Sequence, residues 1–338
     1  MPSRPSSISC ALAALALLSL TTAEAALAAG YADVVTFGDS LSDNGNAWAA
    51  SGFTDPPVPP YWGGRLSNGP VWVETLAPLL GVADTAMTDL AFSGAPTADI
   101  IDLQIVPYIN AHAGAISPNN LYILWGGAND FLDAPLTPGS AASAAVTNLA
   151  DAITLLANAG ATTIVVPNLP DLTATPGVME AGFLAEFFAG IFTDDFNNGL
   201  ASTLPGLESS LGIDIVNVNT LSLFDQILAN PASFGFTNVT NRIVQDDLSL
   251  VGDPNTYLFW DEIHPTAVAH AIFANWVFPQ IPVPPCPEDL DGSGVIDLGD
   301  LTQVLFNFGT GAGGDVTGDG QTDLADISQV LFFFGQSC

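Results

Sequence analysis

Short apolar runs recur along the first 280 positions: "DVVTF" at 33–37, "LYILW" at 121–125, "TTIVVPN" at 162–168 and "IDIVNV" at 213–218. Runs of this kind suit buried strands, and the stretches between them are long enough for helices, such as "AASAAVTNLADAITLLANAG" at 141–160. Strands alternating with helices predict an α/β fold, a parallel sheet covered by helices on both faces, with any site at the carboxyl ends of the strands.

Both ends of the chain break the pattern. The apolar run from Cys10 to Leu20, preceded by Arg4 and followed by small residues, is too short to span a bilayer and reads as a signal peptide over residues 1–28, cleaved after Ala25 or Ala28. The globular region then covers 29–280, and "PQIPVPPCP" supplies a stiff proline-rich linker at 281–286. Beyond it, "DLDGSGVIDLGDLTQVLFNFG" from Asp289 and "DVTGDGQTDLADISQVLFFFG" from Asp315 align without gaps. Oxygen-bearing side chains fall at positions 1, 3, 5, 9 and 12 of a calcium loop: Asp289, Asp291, Ser293, Asp297 and Asp300, then Asp315, Thr317, Asp319, Asp323 and Asp326. Gly294 and Gly320 take the sharp turn at position 6, and Val295 and Gln321 offer carbonyls at position 7.

Each repeat is a loop followed by one helix, because only "CPE" precedes the first. Leu301, Val304, Leu305 and Phe308, with Ile327, Val330, Leu331 and Phe334, supply apolar positions at helical spacing, so the two helices are expected to pack together. Residues 287–338 resemble the dockerin family, a small all-α module of two calcium loop-helix units. The resemblance implies two bound calcium ions and a cohesin-like partner; a cell-envelope component, or nothing beyond internal packing, is the alternative. Ser293 and Thr317 are weaker ligands than Asp or Asn, which lowers the expected affinity.

Charge narrows the partners. The sequence has 35 acidic against 3 basic residues, no lysine and a net charge of −32. Such a field repels phosphates and anionic lipid and leaves no basic patch, which excludes nucleic acid binding. Of three cysteines, Cys10 lies in the signal, and Cys286 and Cys338 bracket the tail as a disulfide of a secreted, extracellular or surface-attached protein would. That loop is worth roughly 4 kcal/mol in the chain-entropy account. Two unpaired thiols are the other reading.

"YADVVTFGDSLSDNGNAW" at 31–48 poses the main chemical question, since Ser40 is either a nucleophile at a strand end or a turn serine among Gly, Asp and Asn. A nucleophile needs a base, an orienting acid and oxyanion donors. Of three histidines, His112 and His270 lie in helical settings that suit structural roles. His264 lies in "LFWDEIHPTAVAH", three residues after Asp261, where a carboxylate can hold Nδ1 and leave Nε2 free to take a proton. Asn129 in "LYILWGGAND" and Gly94 in "TDLAFSGAPT" are expected to emerge beyond strand ends as oxyanion donors, or else as a helix cap and a turn glycine.

"FGDSLSDNGN", "DLAFSGA", "GAND" and "DEIHPT" occur in the order of the four blocks of the SGNH or GDSL hydrolase superfamily, which residues 32–277 resemble. "GRLSNGPVWVETLA", "VVPNLPDLTATP" and "FGFTNVT" are similar to its extracellular lipase, lecithinase and haemolysin-like branch. The resemblance implies a three-layer, flavodoxin-like α/β/α domain and ester hydrolysis without a metal. Ser40 is then the nucleophile, His264 the base and Asp261 its orienting acid, with the Ser40 and Gly94 N–H groups and the Asn129 amide forming the oxyanion hole. Asp89 and Ser93 depart from the asparagine and glycine usual in the second block. The absence of G-x-S-x-G argues against an α/β-hydrolase elbow.

Acyl esters, lipid among them, are the expected substrates, carbohydrate O-acetyl esters the alternative, and a non-catalytic calcium-binding surface protein the reading from another class. "GFLAEFFAGIF" at 182–192 is either an acyl groove or lid or a core helix, and Tyr61 and Trp62 in "DPPVPPYWGG" either wall the cleft or only pack.

Overall fold

A computed structural model describes residues 30–82, 86–282, 286–310, 313–317 and 320–335. The expected signal over 1–28 falls outside the described residues, as do Asp319 and Cys338. Five parallel strands form the central sheet: β1 Val34–Gly38, β2 Met87–Asp89, β3 Leu121–Trp125, β4 Thr163–Pro167 and β5 Asp214–Val218, in the order β2-β1-β3-β4-β5. This is the flavodoxin-like order, whose winding reverses between β1 and β3 and opens a crevice there.

The period-two alternation of a strand divides the apolar runs between two faces. Val35, Phe37, Tyr122, Leu124, Ile164 and Val166 pack under the helices Pro138–Ala159 and Phe183–Leu211. Val34, Leu121, Ile123, Trp125, Val165 and Val218 pack under Trp72–Leu79, Thr220–Ala229 and Ala267–Val277. Both faces are covered, which is why the strands read as continuous apolar runs. β2, whose sequence is "MTD", carries no such run. A second, two-stranded parallel sheet pairs β6 Asn238–Arg242 with β7 Tyr257–Phe259, and β7 leads directly into the Asp261–His264 loop.

Residues 182–192 divide at the start of the helix Phe183–Leu211. Phe183, Leu184 and Phe187 are exposed, whereas Ala189 and Phe192 are core.

In the tail, the helices Leu298–Asn307 and Leu324–Phe332 begin at Asp297 and Asp323, each with a capping box closed by Asp300 or Asp326. Val304 and Val330 pack with Ile296 and Val316, and Leu301 and Ile327 lean on them. Leu305, Phe308, Leu331 and Phe334, expected in this seam, are instead 43–55% exposed. Two helices of 10 and 9 residues meet along one narrow stripe and cannot cover a wider face.

Candidate active site

Ser40 lies two residues beyond the end of β1, in a turn closed by the Ser42 and Asp43 N–H groups donating to the Asp39 carbonyl at 3.0 Å each. Gly38 has no room for a side chain, because a Cβ there would lie 2.4 Å from the Trp125 carbonyl oxygen. The buried Gln104 amide accepts from the Gly38 N–H at 2.9 Å and donates to its carbonyl at 2.8 Å, fixing the strand end before the serine. His264 is set by β7: the Trp260 N–H donates to the His264 carbonyl, and the Thr266 hydroxyl donates to the Tyr257 carbonyl, both at 2.8 Å.

These two loops bring together three residues from opposite ends of the domain. His264 Nε2 lies 2.9 Å from Ser40 Oγ, and Nδ1 lies 2.9 Å from each oxygen of Asp261. All three side chains are buried. Burial opposes a charged His264, but the charge and hydrogen bond of Asp261, then Asp39 and Glu262, outweigh it and hold the imidazole above its ordinary value. Burial likewise opposes the Asp261 carboxylate, and His264 together with the N–H groups of His264 and Ile263 overcomes it, so Asp261 stays below its ordinary value. With Nδ1 donating to a carboxylate, Nε2 presents a lone pair to the serine hydroxyl, the arrangement that makes serine nucleophilic.

Asn129 lies in the first turn of the helix Ala128–Asp133, just beyond β3, and shares a cavity with Ser40 and His264. Its Nδ2 donates to the Ala95 carbonyl at 3.2 Å and, at a long 3.4 Å, to Asp39 Oδ2. Burial pushes Asp39 up to about 6, against the Leu41 N–H and His264, with Asp130 and Asp43 adding to the rise. Gly94 takes a left-handed φ of +84° and does not line the cavity. It is joined to the serine loop through Ser93, whose N–H and hydroxyl donate to Asp43 Oδ2 at 2.8 and 2.7 Å. Among the described residues neither the Ser40 nor the Gly94 N–H has an acceptor.

The rest of the cavity is apolar: Leu41, Trp125, Phe131, Leu132, Leu169, Leu172, Val178, Phe224 and Ile263 line it. None of residues 182–192 does. Tyr61 reaches the site from the proline-rich loop, its hydroxyl donating to Asp261 Oδ2 at 2.9 Å, while Trp62 stacks on Arg65. His112 Nδ1–H donates to the Tyr108 carbonyl at 2.8 Å, and His270 is buried in the helix Ala267–Val277, where burial pushes it down to about 3.

In the tail, carboxylate oxygens of Asp289, Asp291 and Asp300 lie within 4.8 Å of one another. Asp300 is fully buried and accepts from the Asp291 N–H at 3.1 Å and the Asp297 N–H at 2.8 Å. Asp326 repeats this with Val316, Thr317 and Asp323. Gly294 and Gly320 have φ of +82° and +89°, as the turn at position 6 requires. Elsewhere in the first loop Ser293 Oγ donates to the Val295 carbonyl, and Asp297 caps Gly299. In the second loop Thr317 Oγ donates to Asp315 at 3.4 Å, Asp323 caps Ala325, and Gln321 also has a partner. Cys286 is disulfide-bonded.

A parallel 2-1-3-4-5 sheet with a Ser, His and Asp set at its carboxyl end is the framework of a serine hydrolase built without a nucleophile elbow. Residues 34–277 match the family model of GDSL-like lipases and acylhydrolases, and the chain belongs to that family. It is 27% identical over 323 residues to phosphatidylcholine-sterol acyltransferase of Aeromonas hydrophila, covering 77% of this chain and 93% of that protein. It is 30% identical over 333 residues to esterase EstA of Pseudomonas aeruginosa, covering 81% of this chain but 50% of that one, so it spans about half the length of some curated relatives. A crystal structure of phospholipase A1 from Streptomyces albidoflavus aligns over 74% of this chain and 100% of that one, with a TM-score of 0.42 and 17% identity.

Proposed function

We propose that this protein is a secreted carboxylic ester hydrolase that works through an acyl-enzyme on Ser40. The observation that carries this reading is the relay of 2.9 Å contacts from Ser40 Oγ through His264 to Asp261 at the edge of an apolar cavity. Ser40 Oγ attacks the ester carbonyl while His264 Nε2 takes its proton; His264 then returns the proton to the leaving alcohol. Water, deprotonated by the same nitrogen, releases the acid. The N–H groups of Ser40 and Gly94 and the Asn129 amide hold the tetrahedral oxyanion, for which Asn129 exchanges its long contact to Asp39.

Phe131, Leu132, Leu172, Val178 and Phe224 favour an apolar acyl chain over a sugar acetate. Each methylene moved from water into such a cavity contributes about 0.8 kcal/mol. The acyltransferase and esterase names of the relatives agree with an acyl ester.

The tail would hold calcium. Asp289, Asp291 and Asp300 offer the hard oxygen donors that this ion takes, and Asp300 is aimed by two N–H donors. Asp315 and Asp326, with Asp319, would hold a second ion; Ser293, Val295, Asp297, Thr317, Gln321 and Asp323 would complete the two ligand sets. Calcium would order the loops and supply no chemistry to the ester site. The exposed pairs Leu298 and Leu324, Leu305 and Leu331, and Phe306 and Phe332 repeat across the duplication, which suits docking to a cohesin-like or envelope partner.

The deciding experiment is hydrolysis of p-nitrophenyl esters from acetate to palmitate by the wild type and Ser40→Ala. Turnover lost in the variant, with a medium- or long-chain optimum, supports the reading. Acetate-only turnover selects the acetylesterase, and equal rates in both proteins overturn a hydrolytic role for Ser40.

A further inference from the structure

We infer that Tyr61 is a positioning residue for the active-site relay: its hydroxyl holds Asp261 Oδ2 and thereby moderates the basicity of His264. The inference rests on the ester-hydrolase reading of the site and adds to it a member drawn from a segment 200 residues away.

The acceptor set of Asp261 is divided unevenly. Oδ1 accepts the N–H groups of Ile263 at 3.0 Å and His264 at 2.8 Å, whereas Oδ2 accepts from the Tyr61 hydroxyl at 2.9 Å. The His264 Nδ1–H lies between the two oxygens, at 2.9 Å from each. Apart from Tyr61, every donor to the carboxylate sits on the same short loop and moves with it. Among the described residues, Tyr61 alone ties Asp261 to a separate part of the fold. Its ring stands edge-on to Trp260 at 6.4 Å, beside buried Ile243 and Val244, so the hydroxyl is aimed by packing.

Its protonation state suits the role. Burial, then the charge and hydrogen bond of Asp261, push the phenol well up, so it remains a donor wherever His264 titrates. Asp261, Glu262 and Arg242 face Tyr61, while Asp261, Asp39, Glu262 and, from the helix Ala267–Val277, His270 face His264. Arg242 is itself bound to Glu180, Asp246 and Glu262. None of these groups changes in Tyr61→Phe, which keeps the ring on Trp260 and deletes one oxygen.

With that oxygen gone, Oδ2 keeps only the imidazole. The carboxylate charge concentrates on His264, the imidazolium gains, and its titration moves up. The expected shift is about half to one pH unit, the size usual for one hydrogen bond to a buried carboxylate.

The test is the pH profile of kcat/KM for the wild type and Tyr61→Phe on one ester, with the His264 ring titrated by NMR in both. Three histidines make assignment simple, by loss of one signal in His264→Gln. An acid limb and a ring titration displaced upward in the variant, with KM within twofold, support the inference. The limb's midpoint does not depend on how much of the variant is folded, so a loss of stability alone cannot produce the shift. Profiles and titrations that superimpose overturn it. If the wild type hydrolyses no ester, the hydrolase reading fails, and the ring titration alone still decides whether Tyr61 sets the basicity of His264.

Discussion

Replacing Asp261 with asparagine isolates what the carboxylate does for His264. The change keeps size and shape, and the structure dictates how the amide must sit. Two N–H groups, from Ile263 and His264, point at the Oδ1 position, so the amide oxygen belongs there and the amide NH2 takes the place of Oδ2. The Tyr61 hydroxyl can turn to accept from that NH2. His264 Nδ1 lies 2.9 Å from both positions, and wherever it faces the NH2 it can do so only as a lone pair, which places the ring proton on Nε2 and aims it at Ser40 Oγ. A histidine in that tautomer cannot take the serine proton. The same substitution in a serine protease triad lowers kcat about 10⁴-fold, equivalent to roughly 5.5 kcal/mol of barrier. We expect a fall of about 10³- to 10⁴-fold in kcat here, with KM nearly unchanged because Asp261 does not line the cavity. Steady-state hydrolysis of the best p-nitrophenyl ester at the wild-type pH optimum measures it. A variant within tenfold of wild type in kcat would refute the tautomer argument and with it the relay.

Three further outcomes follow from the same geometry. Because His264 must be neutral to act as a base and Asp261 holds its titration up, kcat/KM should fall, as pH drops, along a limb centred above the ordinary histidine value of 6.5; a limb centred below it would contradict the ion pair. Asn129→Ala should lower kcat by about 10²- to 10³-fold at nearly constant KM, and a loss under threefold would remove Asn129 from the oxyanion site. Calcium should raise the protease resistance of the tail, Asp300→Ala should abolish that gain, and chelation should leave ester turnover unchanged; turnover that followed calcium would join the two regions functionally.

The main sheet was legible because β1, β3 and β4 are buried on both faces, which leaves apolar runs in the sequence, and because the edge strand β5, with Asp214 and Asn217 exposed, still carries Ile215, Val216 and Val218. β2 was missed for the opposite reason: an edge strand of three residues, Met87 to Asp89, carries no periodicity to read. β7 is equally short and its partner β6, Asn238–Arg242, is mostly polar, yet β7 is what delivers His264. Ser40, Asp261, His264 and Asn129 could be picked out because each follows a strand and is flanked by glycine, proline or another polar group. Tyr61 could not, since nothing near "PPYWGG" reveals that its ring packs on Trp260 and its hydroxyl meets a carboxylate 200 residues later. The tail misled in a different way. Helical spacing marks Leu305 and Leu331 as core equally with Val304 and Val330, but the area that two short helices can cover decides which are buried, and spacing does not encode area.

The two departures in the second block compensate each other through the serine loop. Asp89 accepts the Asn44 N–H at Oδ2 and the Ala91 N–H at Oδ1, while Asn46 donates to the carbonyls of Asp89 and Ala91 at 3.0 and 2.9 Å. Ser93 donates twice to Asp43, whose other oxygen receives the Gly45 and Asn46 N–H groups. A neutral asparagine at 89 could satisfy the two N–H donors with only one oxygen, and a glycine at 93 would forfeit the hydroxyl contact. Burial raises Asp89 well above its ordinary value, against the Ala91 N–H and with Asp43 adding to the rise, so this residue is costly to keep charged. Tolerance of that cost makes sense only if the loop bearing Ser40 and the loop bearing Gly94 must be held in one register. The two departures therefore tie the loop bearing Ser40 to the loop bearing Gly94.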